Sequence, residues 1–275
     1  MAMEKETLQN ILQEHLRWLE SEGGEGAQAQ LQRADLQGAD LRQVNLQEAE
    51  LWEANLQGAN LEEANLQSAQ LQGANLQGAL LREVNLLAAK LQGVNLQEAQ
   101  LQKANLLGAE LQRADLRGAD LQNAQLQGAE LWGADLQNAN LQNADFWVAE
   151  FQEANLQGAN LQKANLRGAE LWGANLQGVQ LQGANLQEAN LLGTELWEAN
   201  LRDTNLRMAQ LQGAELWGVN LRGANCRAAN LEGVKRVSIE QISKVESLFE
   251  AQLDAELKEQ LKEYPHLFEK PEGEE

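Results

Sequence analysis

Histidine and cysteine are nearly absent from this chain of 275 residues, and each scarcity closes off a class of protein. The one cysteine, Cys226, has no second thiol with which to close an intramolecular disulfide. The two histidines, His15 and His266, lie near opposite ends. Residues 29–233 therefore hold neither a Ser-His or Cys-His pair nor a histidine metal cluster. Long apolar runs are missing too, and nothing approaches the roughly eighteen residues that cross a bilayer. Positive charge is in short supply, with 21 Lys and Arg against 41 Asp and Glu and a net charge of -20. Repulsion from phosphates opposes direct binding of nucleic acid. Met1 to Leu12 lacks the basic start and apolar centre of a signal peptide, so the expectation is a cytoplasmic protein without a membrane anchor.

What the chain has in abundance is one five-residue unit, seen for example as Ala154-Asn155-Leu156-Gln157-Gly158. It recurs almost unbroken from Ala29 to Gly233, in about forty copies. Neither ordinary period accommodates it. In an α-helix five residues turn through about 500°, so successive leucines would spiral round every side. In one long strand, alternation would place Leu156 and Leu161 on opposite faces. A three-residue strand followed by a corner remains. Leu and the small residue two places before it point inward, the intervening Asn or Asp points outward, and the last two residues turn the chain. Gly, Asn and Asp suit such corners because they tolerate or reinforce turn geometry.

A second period sets the number of corners. The slot before Leu is usually Asn or Asp, yet it holds a longer side chain at Gln30, Glu50, Gln70, Lys90, Glu110, Glu130, Glu150 and Glu170, each twenty residues from the next. The string Glu-Leu-Trp starts at Glu50, Glu130 and Glu170, then at Glu195 and Glu215, as though one unit had been added after Glu170. Four units per turn is the simplest reading.

The pattern closely resembles the pentapeptide-repeat family, whose signature of Ala, Asn or Asp, Leu and two free positions is matched by nearly every unit from Ala29 to Leu231. The resemblance implies an all-β solenoid: a right-handed, four-sided parallel β-helix of about ten coils. Coils stacked about 4.8 Å apart give a rod on the order of 48 Å long. Each buried leucine contributes roughly 1.5 to 3 kcal/mol. Some bacterial members protect or inhibit DNA gyrase by imitating duplex DNA as acidic dimeric rods, which makes gyrase a candidate partner and a homodimer a candidate state. The charge density argues against this: the rod carries about -11, where a duplex of that length carries nearly thirty charges. No break in the repeat is large enough for a projecting loop.

Departures from the unit read as packing. Phe146 and Phe151 replace consecutive leucines and Cys226 replaces another, while Val44, Val84, Val94, Val179, Val219, Thr194 and Thr204 occupy the small slot. Both ends change period. Residues 1–28 form an N-terminal capping segment, in which Leu8, Ile11, Leu12, Leu16 and Leu19 predict an amphipathic helix over 4–20 that carries His15 and Trp18. The solenoid occupies 29–233, and 234–275 form a C-terminal helical cap or tail. There Ser238 to Gln241 resembles a capping box, with Ile239, Ile242, Val245, Leu248 and Phe249 at helical spacing behind it. A second helix should start near Asp254 and stop before Pro265. Such segments cover strand edges and leucines that invite aggregation. Leu267 and Phe268 are candidates for self-association.

Sorted by the twenty-residue period, charge falls unevenly. The face with Glu50, Glu53, Glu130, Glu150, Glu153 and Glu170 sums to about -5, the next, with Asp35, Asp135, Glu195, Glu198 and Glu215, to about -6, and the other two to roughly zero. The acidic faces also present Trp52, Trp132, Trp172, Trp197 and Trp217, a residue type that dominates binding interfaces. These tryptophans, with Glu130, Glu150, Glu170, Glu195 and Glu215, are the candidate partner-binding residues. A neutral face collects Leu87, Leu107, Trp147, Val148 and Met208, and Leu87, Leu107 and Trp147 are candidates for contact with a second copy. A regular rod has no cleft to exclude water. The expectation is a non-catalytic scaffold for a protein partner, without catalytic residues, cofactor or metal, with action on gyrase as the alternative.

Overall fold

The structure, a computed structural model, describes residues 3–270. From Gln30 to Lys235 every fifth residue forms one parallel bridge with the residue twenty places on, as in Glu50 with Gln70 and Asn55 with Asn75. The chain is thus a four-sided parallel β-helix in which each face is a column of single bridges rather than of longer strands. We number the faces by their outward residues: face 1 carries Glu50, Glu130 and Glu170; face 2, Asn55, Glu195 and Glu215; face 3, Asn60 and Asn140; face 4, Asn85 and Asn165.

One coil is tied to the next by backbone bonds that repeat without variation. The Leu31 N–H donates to the Glu50 carbonyl at 2.8 Å, and the Glu50 N–H donates back to Ala29 at 3.0 Å. At each corner the small residue closes the turn onto the preceding leucine, as Ala54 does onto Leu51 at 3.0 Å. The corner's second residue sits at positive φ in every unit, which explains why glycine crowds that slot. Leucines and alanines fill the interior and are buried along the whole length. Phe146 and Phe151 meet edge to face, 5.0 Å between ring centres. Thr194 and Thr204, buried in the small slot, donate their hydroxyls to the Leu191 and Leu181 carbonyls, each at 2.9 Å. Burial pushes the Cys226 thiol up to about 12, which leaves it an inert core atom.

The outward Asn explains itself in hydrogen bonds. Its Oδ1 accepts the N–H of the corner two residues on, and its Nδ2 reaches the Asn one coil back. Asn65, for example, accepts from Gln67 at 3.2 Å and donates to Asn45 at 3.0 Å. One short side chain satisfies a turn and a ladder together.

The N-terminal helix α1 (Lys5–Glu20) lies over the first coil, with His15 buried. The His15 Nδ1 accepts the Ala29 N–H at 3.1 Å, and its ring stacks on Trp18 at 5.7 Å. Burial holds the imidazole below its ordinary pKa.

The other end departs from the sequence reading. The capping box forms, with Ser238 and Gln241 bonding reciprocally, but α2 stops after one turn (Ile239–Ile242). The chain then resumes the solenoid: Ser247 bridges to Asn225 and Gln252 to Asn230. Leu248-Phe249-Glu250-Ala251-Gln252 is a further coil unit, with Glu250 at the usual positive φ of 61°. Its apolar residues fit a helical period as well, and the coil's bonds to residues 224–230 decide the matter. Helix α3 (Ala255–Gln260) and two 3-10 turns, Leu261–Glu263 and Pro265–Phe268, follow. Residues 1–2 and 271–275 of the two terminal segments lie outside the described residues.

Candidate functional site

Register places every candidate residue. Bridges run from Asn175 to Glu195 and on to Glu215 without a break, so every coil past Glu170 as far as Lys235 keeps four units. The Glu-Leu-Trp string has moved from face 1 to face 2.

On face 1 the carboxylates of Glu110, Glu130, Glu150 and Glu170 stand one above another. Most are held by amides. Gln92 donates to Glu110 and Gln112 to Glu130, each from the preceding coil, and Asn190 donates to Glu170 at 2.7 Å. Trp132 occupies the corner that would serve Glu150, and Glu150 is exposed. Corner glutamines also ladder among themselves, Gln157 to Gln177 at 3.1 Å, although Gln97 bonds Asp115 instead. Among the described residues no group of three or more His, Cys, Asp or Glu is arranged to hold a metal ion.

The five tryptophans divide into two sets. Arg33 places its guanidinium carbon 4.9 Å from the centre of Trp52, and Arg113 lies 4.7 Å from Trp132. Arg236 lies 5.9 Å from Trp197 and pairs with Glu215 at 3.6 Å, and Lys235 meets the same carboxylate at 3.2 Å. Among the described residues no cation covers Trp172 or Trp217, which are 41% and 53% exposed. Leu192, absent from the sequence reading, stacks directly after Trp172, 49% exposed, its carbonyl accepting from Gly173 at 3.1 Å. The outer half of face 2 is therefore a strip with Glu195 and Glu215 down the middle, Trp172 and Leu192 along one corner, and Trp197 and Trp217 along the other. The twenty-residue register makes Leu192 legible as the corner neighbour of Trp172.

The candidates for self-association do not stay together. Leu107 and Trp147 are exposed and Leu87 half-buried on the face 4 corner, with Val148 and Met208 also exposed there. Leu267 is a correction: it is fully buried, and its carbonyl accepts the Leu248 N–H at 2.6 Å. The 3-10 turn after Pro265 folds it onto the last coil, where it closes the core. Phe268 is half-buried and lines an open groove of about 450 Å³ with Lys258, Leu261 and Pro265.

Eight overlapping matches to the pentapeptide repeats family profile run from residue 27 to residue 235. The chain is a pentapeptide-repeat protein. Such proteins form right-handed quadrilateral β-helices and are generally non-catalytic scaffolds. This pentapeptide-repeat protein is similar to HetL, a family member involved in heterocyst differentiation regulation from the cyanobacterium Nostoc sp. strain PCC 7120. The two are 31% identical over 80% of this chain and 92% of that one, with a TM-score of 0.58. It is also similar to Rfr23 from the cyanobacterium Cyanothece 51142, at 46% identity over 33% of this chain and 59% of that one, TM-score 0.31. QnrB1, a plasmid-mediated fluoroquinolone resistance protein, is 21% identical over 74% of this chain and 99% of that one, TM-score 0.42. The search of curated proteins finds no match. None of the described helices is long and apolar enough to cross a membrane.

Proposed function

We propose that this pentapeptide-repeat protein is a non-catalytic scaffold that binds a protein partner along the outer half of face 2. The observation that carries the reading is the strip itself, Glu195 and Glu215 between one corner with Trp172 and Leu192 exposed and another with Trp217 exposed, on a backbone tied from coil to coil. Trp and Leu supply contact area at low entropic cost, and the carboxylates select the partner's charge. Capture from native cell extract with the wild-type chain, set against Trp197→Ala combined with Trp217→Ala, tests it. Loss of a reproducible partner supports the strip, and an unchanged set of partners removes it.

A second reading, imitation of duplex DNA toward gyrase, draws support from the carboxylate ladder Glu110 to Glu170 at one-coil spacing. Its weakness is that amides already hold most of that ladder. Gyrase supercoiling with purified protein decides between the two: inhibition or protection that disappears when Glu130, Glu150 and Glu170 become Gln favours mimicry, and no effect favours the scaffold.

A further inference from the structure

Trp52 and Trp132 share one geometry with Trp172 and Trp217, whereas at Trp197 the corresponding residue is Gly178. In four places the corner's second residue donates its N–H to the carbonyl of the tryptophan in the next coil: Arg33 to Trp52 at 3.0 Å, Arg113 to Trp132 at 3.1 Å, Glu153 to Trp172 at 3.2 Å and Glu198 to Trp217 at 2.8 Å. The side chain at that place therefore emerges beside the indole in all four. In the first two it is an arginine, and its guanidinium covers the ring. In the last two it is a glutamate.

The stems follow the same path. A Cβ built on Gly133 would lie 3.5 Å from Arg113 Cγ; on Gly173, 3.7 Å from Glu153 Cγ; on Gly218, 3.3 Å from Glu198 Cγ. Each stem thus lies across the glycine that follows the tryptophan. Arg33 shows the three groups together, since its guanidinium both covers Trp52 and pairs at 2.6 Å with the carboxylate of Glu53, the residue after the ring. Indole, carboxylate and guanidinium form the full set. At Trp172 and Trp217 a glycine follows the ring and a carboxylate, Glu153 or Glu198, stands in the arginine's own place. Indole and carboxylate are thus both present beside each other, while among the described residues no cation covers either ring.

We propose that Trp172 with Glu153, and Trp217 with Glu198, are receptor sites for arginine side chains of a partner protein. The proposal rests on the scaffold reading and names the chemistry of its partner. A guanidinium fits because it stacks flat on an indole while its edge pairs with a carboxylate, which the compact ammonium of lysine does less well. The net negative charge of face 2 steers such a segment and disfavours an acidic one. Trp172 and Trp217 stand on the two corners that bound this face and are separated by about 11 Å along the axis, a little over two coil spacings. An extended segment with arginines about four to six residues apart reaches both.

The test uses the full chain labelled with ¹⁵N and follows its indole N–H resonances. The probe is an acetylated hexapeptide amide, Arg-Gly-Ser-Gly-Ser-Arg, with a twin in which citrulline, neutral and of the same shape, replaces both arginines. The Trp172 and Trp217 signals should shift saturably with the arginine peptide while those of Trp52 and Trp132, already covered, stay in place. Glu153→Gln with Glu198→Gln should weaken binding about fivefold. Glu153→Arg with Glu198→Arg, which rebuilds the internal pair, should abolish the shifts. Equal shifts with citrulline, equal response of all four tryptophans, no shift at Trp172 and Trp217, or full binding by the Arg variants would each overturn the proposal. The readout needs no native partner, so its failure leaves the broader scaffold reading intact, and a failed capture leaves this result intact.

Discussion

Inside the rod and at its corners the same repeat behaves in opposite ways. The inward slots hold Leu and Ala coil after coil, buried throughout except for a few small residues in the end coils such as Ala34 and Ala39, and joined by the same bonds. The first corner slot of one column runs through Gln, Trp, Leu and Glu with no change in backbone. The difference teaches that architecture and recognition are written on separate positions. A change inside alters every coil around it, whereas a change at a corner alters only what a partner meets.

Phe151→Ala attacks the interior and carries the largest expected effect, a loss of about 3–5 kcal/mol in urea unfolding, because the rigid coils cannot collapse into the void. Gly26→Ala breaks the seam between α1 and the first coil. A Cβ there would lie 2.2 Å from the Glu14 carbonyl oxygen, at a φ of +72°. Stability should fall by about 2 kcal/mol, and hydrogen exchange should quicken first at the Ala29 and Leu31 amides.

The same seam should respond to acid. His15 is buried in its neutral form with a folded pKa below 6.5, so the unfolded chain takes up the proton more readily. Stability from this residue is intact above pH 6.5 and is lost as pH falls from there through the folded pKa. Urea midpoints at pH 5 and pH 7.5 should differ more for the wild type than for His15→Gln.

Smaller still is a change at a corner that bears on the backbone. Val148 is β-branched and held at φ 51°, so Val148→Gly should raise stability by about 1 kcal/mol. Last, Trp217→Ala should leave the unfolding midpoint within about 0.5 kcal/mol of wild type while removing the arginine-peptide response at that site. A large loss of stability there would erase the separation of inside from corner.

The sequence carried the coil, its four sides and the Phe146–Phe151 pair because each follows from spacing alone. It hid the coil unit at Leu248 to Gln252, since a single unit between helical segments has no repeat to announce it. Leu267 misled for a related reason: a lone apolar residue after Pro265 does not reveal which way its turn folds. The arginine cover on Trp52 and Trp132 was within reach, because the partners stand nineteen residues before each tryptophan. It became visible only once the corner hydrogen bonds fixed which side chains emerge together.

The unbroken twenty-residue register has a consequence for how such a chain can change over generations. Removing or duplicating one five-residue unit keeps every leucine inside, yet it rotates everything downstream by a quarter turn about the axis. The gene can thus index its surface like a combination lock, and the passage of Glu-Leu-Trp from face 1 at Glu170 to face 2 at Glu195 is one click of that dial. Four clicks restore the original alignment with the rod one coil longer or shorter.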